Sequence, residues 1–375
     1  MQITGVWEKI KALPARIPAF RKDLVAVDLG TYAIKVISLS GLPSAPQLLH
    51  WGYIPLQELN ELPPEEKRLA TISALKTFLI QQPLPTREVA ASISGNTVIV
   101  RYVRFPKLSK QDLAASISFE AEPYIPFDIK EVNLGFHILE EVQEEGQKKM
   151  ETVLVAAKKE AIQSKLDILT EAGLRPVVMD VDAFALENLH EISHASQPET
   201  LLYLNIGHNV TNLAILENGA SKVVRDIFIA GTTLTKAIQR QMQCDLATAE
   251  KLKKTHGLVT PEEKEKLLAE DNREVLMTSQ ALQAVLRDLT VEVHRSVDFY
   301  LSQAPDRSIS RILLTGGSAN LRNIDTVLSA ELKVPVQILD PIALFQSGDP
   351  NLPKEIRISM AVASGLAMRK KGDWK

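Results

Sequence analysis

Asp28-Leu29-Gly30-Thr31-Tyr32-Ala33-Ile34-Lys35 is the stretch on which the reading of this chain turns. Val25, Val27 and Leu29 alternate with smaller or polar residues, as in a half-buried strand, and Val36-Ile37-Ser38-Leu39 supplies a partner strand. Gly30 falls at the reversal between them, where close approach of a ligand leaves no room for a side chain. Such a turn gathers backbone N–H groups, the Thr31 hydroxyl and the Lys35 ammonium around one point. That is a phosphate cradle, with Asp28 placed to hold a metal-bound water. Taken alone, the stretch reads equally as an ordinary glycine-turn hairpin, because short motifs also match by accident.

Outward from this turn the pattern is strand, strand, strand, helix. A third strand is expected around Leu48–Ile54, and Pro63-Pro64 opens a helix with Leu69, Ile72, Leu75, Phe78 and Leu79 on its apolar face. The order recurs from Leu201. One strand ends in Asn205-Ile206-Gly207, a second covers Thr211–Leu216, and Asn218-Gly219 makes a hairpin turn. A third strand follows through Val223–Ile229, and a helix starts near Leu234. Gly207 stands where Gly30 stood, which implies two like domains with one glycine loop each, facing one another across a cleft.

Between the copies lies material the repeat does not need. A strand at Val98–Phe105 leads to a helix with Ser109 as N-cap, ending by Pro123. The apolar link Tyr124-Ile125-Pro126-Phe127 and strands near Val132–Glu141 and Thr152–Ala157 complete a small α/β unit. A helix over Lys158–Ala172, a strand at Val177–Met179 and a helix over Ala183–His190 return the chain to the first domain. In the second half, Glu250 and Lys253 share a helix face three residues apart; in isolation they read as an exposed ion pair. A charged helical excursion at Thr260–Arg273 and a long amphipathic helix at Ser279–Tyr300 lead to Thr315-Gly316-Gly317-Ser318, a buried strand running into a double glycine and a helix. Asp340-Pro341 ends the next strand, and Ile358–Arg369 is expected as one closing helix.

Composition narrows the function classes. A formal net charge of −3 over 375 residues gives no reason to expect nucleic acid as a partner. The single cysteine, Cys244, excludes an intrachain disulfide framework and a cysteine-cluster zinc site, and the seven histidines carry no metal-ligand spacing. Neither a membrane-spanning run of ~18 apolar residues nor a signal peptide is evident, so the cytoplasm is the expected compartment. The first 23 residues place Trp7, Ile10, Leu13, Ile17 and Phe20 at helical spacing among Lys and Arg, interrupted by Pro14 and Pro18. This segment reads either as a tail packed on the domain or as a contact to anionic lipid.

Three glycine turns in this order resemble the actin-like ATPase superfamily, whose first phosphate loop is D-x-G-[ST]-x-x-x-K, and no Walker-type P-loop is present. Within it, the chain is similar to the PilM family of type IV pilus assembly, related to the division protein FtsA. The similarity is carried by Phe119–Phe127 (FEAEPYIPF), Val153–Lys159 (VLVAAKK), Asp180–Leu186 (DVDAFAL) and Gly365–Arg369 (GLAMR). The resemblance implies an α/β fold of two RNase H-like domains around a nucleotide cleft, with an inserted small α/β subdomain. It divides the chain into a basic amphipathic segment (1–23), a first domain (24–97 with 158–200 and 343–375), the insert (98–157), a second domain (201–245 with 290–342) and a helical subdomain (246–289). It further implies ATP and Mg2+ as cofactors. Gly30, Thr31, Tyr32 and Lys35 would meet the phosphates, and Asp28 would orient magnesium-bound water. Gly207, His208, Asn209 and Thr211 would form the second phosphate loop. Glu250 and Lys253 would reach ribose and base, Gly316, Gly317 and Ser318 would line the adenine pocket, and Asp182 would position the attacking water.

One departure stands out: the superfamily usually carries Asp where this chain has Asn205. An amide accepts a hydrogen bond from metal-bound water but brings no charge, so magnesium should be held less strongly and hydrolysis should be slow. The resemblance also implies a partner, the cytoplasmic N-terminal peptide of a PilN-like bitopic inner-membrane protein. That peptide would bind in a groove between the first domain and the insert, where the Tyr124–Phe127 link would either take it or pack internally. Pilus motor ATPases and self-association are further contacts open under the resemblance. The protein would then be peripheral at the inner membrane, mainly through its partner. Two other functions share the superfold: an FtsA-like filament protein, expected to carry a C-terminal membrane helix where this chain stops at Lys375, and a sugar kinase.

Overall fold

In a computed structural model, which describes residues 24–42, 44–59, 61–144, 146–193 and 199–369, the sequence repeat becomes two five-stranded sheets. The amphipathic segment at 1–23 lies outside the described residues. The first lobe opens with β1 (Val25–Leu29), β2 (Ala33–Leu42), β3 (Ala45–Pro55), α1 (Pro64–Gln81) and β4 (Glu88–Ile93). The insert follows as β5 (Val98–Pro106), α2 (Lys110–Ala121), β6 (Val132–Glu144) and β7 (Gln147–Lys158). The chain returns through α3 (Lys159–Glu171) to β8 (Arg175–Val181) and α4 (Asp182–Ser193). The second lobe comprises β9 (Thr200–Ile206), β10 (Thr211–Glu217), β11 (Ala220–Ile227), α5 (Gly231–Met242), α6 (Leu246–His256), α7 (Pro261–Ala269), α8 (Arg273–Leu301), β12 (Arg311–Thr315), α9 (Ile324–Leu332) and β13 (Val336–Ile338). The helices α10 (Lys354–Ile358) and α11 (Ala361–Leu366) follow, α11 returning to α4 and β1 of the first lobe.

The two sheets run β3-β2-β1-β4-β8 and β11-β10-β9-β12-β13. In each, an antiparallel meander is extended by two parallel strands on the far side of its first strand. The parallel strands are covered on both faces, so they lose the alternation that marks a half-buried strand. This is why no strand is predicted at Glu88–Ile93 although β4 sits beside β1: all six residues, EVAASI, are buried, and four of them are small or polar.

α4 and α11 pack together between the lobes, their Ala183, Ala185, Leu186, Leu189, Ala361, Val362, Ala363 and Leu366 joining residues of both sheets in one core. The insert's sheet, β5-β7-β6, is amphipathic in two directions. Met150, Leu154 and Ala156 pack on α2 in the insert's own core, whereas Val153, Val155 and Ala157 face the first lobe. The insert also touches the second lobe. Tyr102 Oη donates to Ser221 Oγ at 2.8 Å and Ser221 to Glu187 Oε2 at 2.5 Å, with Lys222 reaching Glu140 and Glu151 at 3.4 and 3.3 Å.

Several expectations change in detail. Ser109 does cap α2, accepting from the Asp112 N–H at 3.1 Å. Leu69, expected on the buried face of α1, is 52% exposed, and Thr71 is buried on that helix instead. The closing helix expected over Ile358–Arg369 is shorter, α11 at Ala361–Leu366, and the chain turns at Ser359 and Met360 between it and the separate α10. The double glycine leads first into a 3-10 turn, Gly317–Asn320, before α9.

Candidate functional site

The two glycine loops have the same local geometry. A Cβ on Gly30 would lie 2.8 Å from the Ala33 carbonyl oxygen, and one on Gly207 would lie 2.7 Å from that of Val210. Each turn thus closes a glycine against the carbonyl three residues on. Such a contact is far tighter than a Cβ tolerates, which explains glycine here without any need for positive φ. The second loop is further tied down by the start of α5: the Gly231 N–H donates to Gly207 O at 3.0 Å, Thr232 N–H to His208 O at 2.7 Å, and Thr232 Oγ1 to Asn209 Oδ1 at 2.6 Å. Thr211 Oγ1 donates to Ile229 O at 2.7 Å. Gly316, at φ +92°, packs against the same loop, for its Cβ would fall 2.5 Å from Ile206 O and 2.6 Å from Asn205 Oδ1. Ser318 Oγ donates to Gly207 O at 3.2 Å, while a Cβ on Gly317 would meet nothing within 4 Å. The second loop and the Gly316 turn therefore form one cradle with open space beside Gly317, and the first loop reaches it through Tyr32, which packs on His208. This fits a flat, phosphate-bearing ligand.

Behind the loops the lobes differ in chemistry. Asp28 and Lys35 face one another on β1 and β2, and Lys35 Nζ meets Asp28 Oδ2 at 2.8 Å. Asn205 and Asn212 occupy the matching positions on β9 and β10, with Asn205 Nδ2 donating to Asn212 Oδ1 at 2.7 Å. Asn212 Nδ2 in turn donates to Asp226 Oδ1 at 2.8 Å, and Asp226 Oδ2 accepts the Gly95 N–H of the first lobe at 2.5 Å. Asn212 and Asp226 are absent from the sequence-level candidates. The spacing could have found Asn212, which follows Asn205 by seven residues as Lys35 follows Asp28; Asp226 joins only through cross-strand pairing. Asp182, at the start of α4, accepts from Ser92 Oγ at 2.6 Å and lies near enough to Asp28 and Asp226 to interact with both charges. Burial raises its carboxyl above the usual range. Among the described residues no group of three or more His, Cys, Asp or Glu could cage a metal.

Asp226 gives a pH-dependent signature. Burial, with the Asp182 charge adding to it, pushes its carboxyl up to about 6 against hydrogen bonds from Asn212 and Gly95 that act the other way. A raised folded-state value means the folded protein binds this proton more tightly than the unfolded chain. The contribution to stability is complete below about pH 4 and lost as pH rises through about 6, up to about 3 kcal/mol. Asp226→Asn should therefore gain stability relative to the parent protein from about pH 4 to about 6.5, read from paired urea titrations at several pH values.

At the mouth, aromatic and cationic groups cross between the lobes. Tyr32 of the first loop packs on His208 of the second, ring centroids 5.1 Å apart, and Lys254 Nζ donates to Tyr32 Oη at 2.7 Å. Burial, then the Lys253 charge, lowers the His208 imidazole to about 4, so it is neutral near pH 7 and offers no cation to a phosphate. Glu250 and Lys253 are not the exposed pair that their spacing alone suggests. Lys253 is 8% exposed and contacts Glu250 at 2.6 Å, Thr235 Oγ1 at 2.7 Å and Gly231 O at 3.3 Å, under the first turn of α5. Thr235 also donates to Glu250 at 2.6 Å. Burial lowers the Lys253 ammonium, while at Glu250 burial acts upward but is outweighed by Lys253, Thr235 and Lys254. The pair holds α6 against α5.

A second concave site lies between the insert and the first lobe. Its cavity of about 440 Å³ is lined by Asn133–His137 of β6, Val153, Val155 and Ala157 of β7, Ile162, Met179–Val181 of β8, Ile93 and Phe184. β6 ends the insert's sheet and β8 ends the first lobe's sheet, so two strand edges border the groove. The Tyr124–Phe127 link, read either as taking the peptide or as packing internally, does not line this groove: Ile125 and Phe127 pack in the insert's own core and Tyr124 stacks edge-on against Phe105. Internal packing thus accounts for Ile125 and Phe127.

The sequence profile of the type IV pilus assembly protein PilM matches residues 26–371. This chain belongs to the PilM family. A solved PilM-PilN type IV pilus biogenesis complex is 30% identical, with 93% of this chain and 98% of that one covered at a TM-score of 0.77. The match favours pilus assembly over the division-filament and sugar-kinase readings. The fold is shared more widely at 14% identity. MreB5 of Spiroplasma citri, solved bound to ADP, gives a TM-score of 0.53 over 91% of this chain and 94% of its own. The ethanolamine utilization protein EutJ from Carboxydothermus hydrogenoformans gives 0.50 over 92% and 89%. The architecture of this PilM-family chain is thus actin-like. No helix of the described residues is long and apolar enough to cross a membrane.

Proposed function

We propose that this PilM-family protein is an actin-like scaffold of a type IV pilus assembly platform, one that holds the N-terminal peptide of a PilN-like membrane protein. The observation that carries this reading is the groove bordered by β6 and β8. An extended peptide can add its backbone hydrogen bonds to a free strand edge while its alternate side chains enter an apolar cavity. Membrane attachment would then come through the partner, placing the protein at the cytoplasmic face of the inner membrane.

The cleft is read as an ATP–Mg2+ site whose main role is to clamp the lobes. Gly30, Gly207 and Gly316 clear the space, Thr31 and Asn209 stand on the loops, and Tyr32, His208 and Lys254 meet across the mouth. When bound, the nucleotide would supply the phosphate anions that the loop amides and Lys35 attract. Lys35 is paired with Asp28 and Asn205 is neutral, so charge neutralisation at the transferring phosphoryl is weak and slow turnover follows. Titration calorimetry with a synthetic N-terminal peptide of the PilN-like protein, and separately with AMPPNP and Mg2+, tests both halves. Micromolar peptide binding and retention of AMPPNP are expected; no peptide binding at millimolar concentration would overturn the scaffold reading.

A further inference from the structure

We propose that Asp226 is a positioning residue that, through Asn212, sets the amide of Asn205 with its carbonyl oxygen towards the cleft. It would thereby supply from two hydrogen bonds away the polarity that a carboxylate at position 205 would supply directly. This rests on the reading of the cleft as a magnesium–nucleotide site.

The three residues stand opposite one another on β9, β10 and β11, Asn205 facing Asn212 and Asn212 facing Asp226. An amide can present either end to its neighbour, so a pair of asparagines has no intrinsic direction. A carboxylate ends that freedom because it only accepts. Asn212 must turn its Nδ2 to Asp226, at 2.8 Å, and so shows Oδ1 to Asn205. Asn205 must then donate, at 2.7 Å, which leaves its own Oδ1 outside the relay. That oxygen lies 2.6 Å from the point where a Cβ on residue 316 would sit, so glycine at 316 leaves the oxygen's side towards the third glycine turn free of a side chain. An acceptor there suits a metal-bound water; an NH2 group would repel one.

The anchor of the relay is held from the other lobe. Asp226 Oδ2 accepts the Gly95 N–H at 2.5 Å, and Gly95, at φ +87°, takes a backbone conformation that other residues rarely adopt. The first lobe has no such relay, because Asp28 and Lys35 at the matching positions form a charge pair whose direction is fixed.

The test uses the full chain and AMPPNP, with affinity measured by calorimetry in Mg2+ and in EDTA. Asp226→Asn should lose about tenfold of the affinity gained from Mg2+ while its affinity in EDTA stays within about twofold of the parent protein. The double variant Asn205→Asp/Asp226→Asn reverses the relay: the introduced amide at position 226 donates to Asn212, and Asn212 donates to the introduced carboxylate at position 205. This variant should regain the Mg2+ dependence. In the absence of nucleotide, the side-chain amide NMR signals of Asn205 and Asn212 should be slow to exchange in the parent and shifted in Asp226→Asn. Unchanged Mg2+ dependence in Asp226→Asn, or a folded double variant no better than the single one, would overturn the relay and leave the clamp standing. If Asp226→Asn does not fold, the double variant decides alone. Absence of AMPPNP binding to the parent in either condition would remove the clamp reading and this inference with it.

Discussion

Gly135→Trp should abolish capture of the PilN-like peptide, by about 100-fold or more in Kd, with no loss of stability. Gly135 pairs with Val155 in the insert's sheet, and residues directly opposite share a face. Val155 faces the first lobe rather than α2, so a side chain at 135 enters the groove. A Cβ at Gly135 meets nothing within 4 Å, and no positive φ restrains the site, so a side chain can start there without moving the backbone. It would then occupy the apolar volume and obstruct the β6 edge together, removing both parts of the recognition. A loss of 100-fold corresponds to about 2.7 kcal/mol, less than an apolar anchor and a few strand hydrogen bonds supply. Calorimetry with the peptide and a urea titration of the same sample check the two halves. Tight binding by folded Gly135→Trp would place the peptide elsewhere.

Gly365→Ala should cost about 3 kcal/mol of stability, against the local preference of its helix. In an exposed helix, alanine in place of glycine would gain roughly 1 kcal/mol. Here a Cβ would fall onto the Ala185 carbonyl oxygen, with the carbonyl carbon 2.5 Å away, where α11 crosses α4 at backbone contact. Neither partner can yield cheaply. Ala183, Ala185, Ala361 and Ala363 are fully buried around the crossing, and Asn188 Nδ2 donates to Gly365 O at 3.2 Å. Both helices belong to the core that joins the lobes, so the strain spreads beyond one contact. The midpoint in urea should fall with the slope unchanged, while Gly135→Ala, with open space around its Cβ, should leave the midpoint where it was.

The duplicated glycine turns were readable because sterics force them: Gly30 and Gly207 must lack a Cβ wherever the same hairpin is built. Asn205 was readable as a departure for the same reason, since the repeat aligns it with Asp28. Lys253 was harder. Its spacing from Glu250 reads as a solvated pair, and only the packing of α6 under α5 buries it and turns it into a structural contact. The Tyr124–Phe127 link carried an apolar signal that could not say which core it joins. Asp226, Lys254 and the groove wall at Gly135 carried no local signal, because their partners lie 131, 222 and 20 residues away.

Local periodicity, turn sterics and short motifs suffice for the actin-like class, the order of the three glycine loops, the insert and the family. Tertiary structure alone decided which groups meet in the cleft, how the asparagine pair is oriented, and where two strand edges leave a groove. Those outcomes depend on cross-strand register and on the closure of one lobe against the other, and no window along the chain contains both sides of either contact.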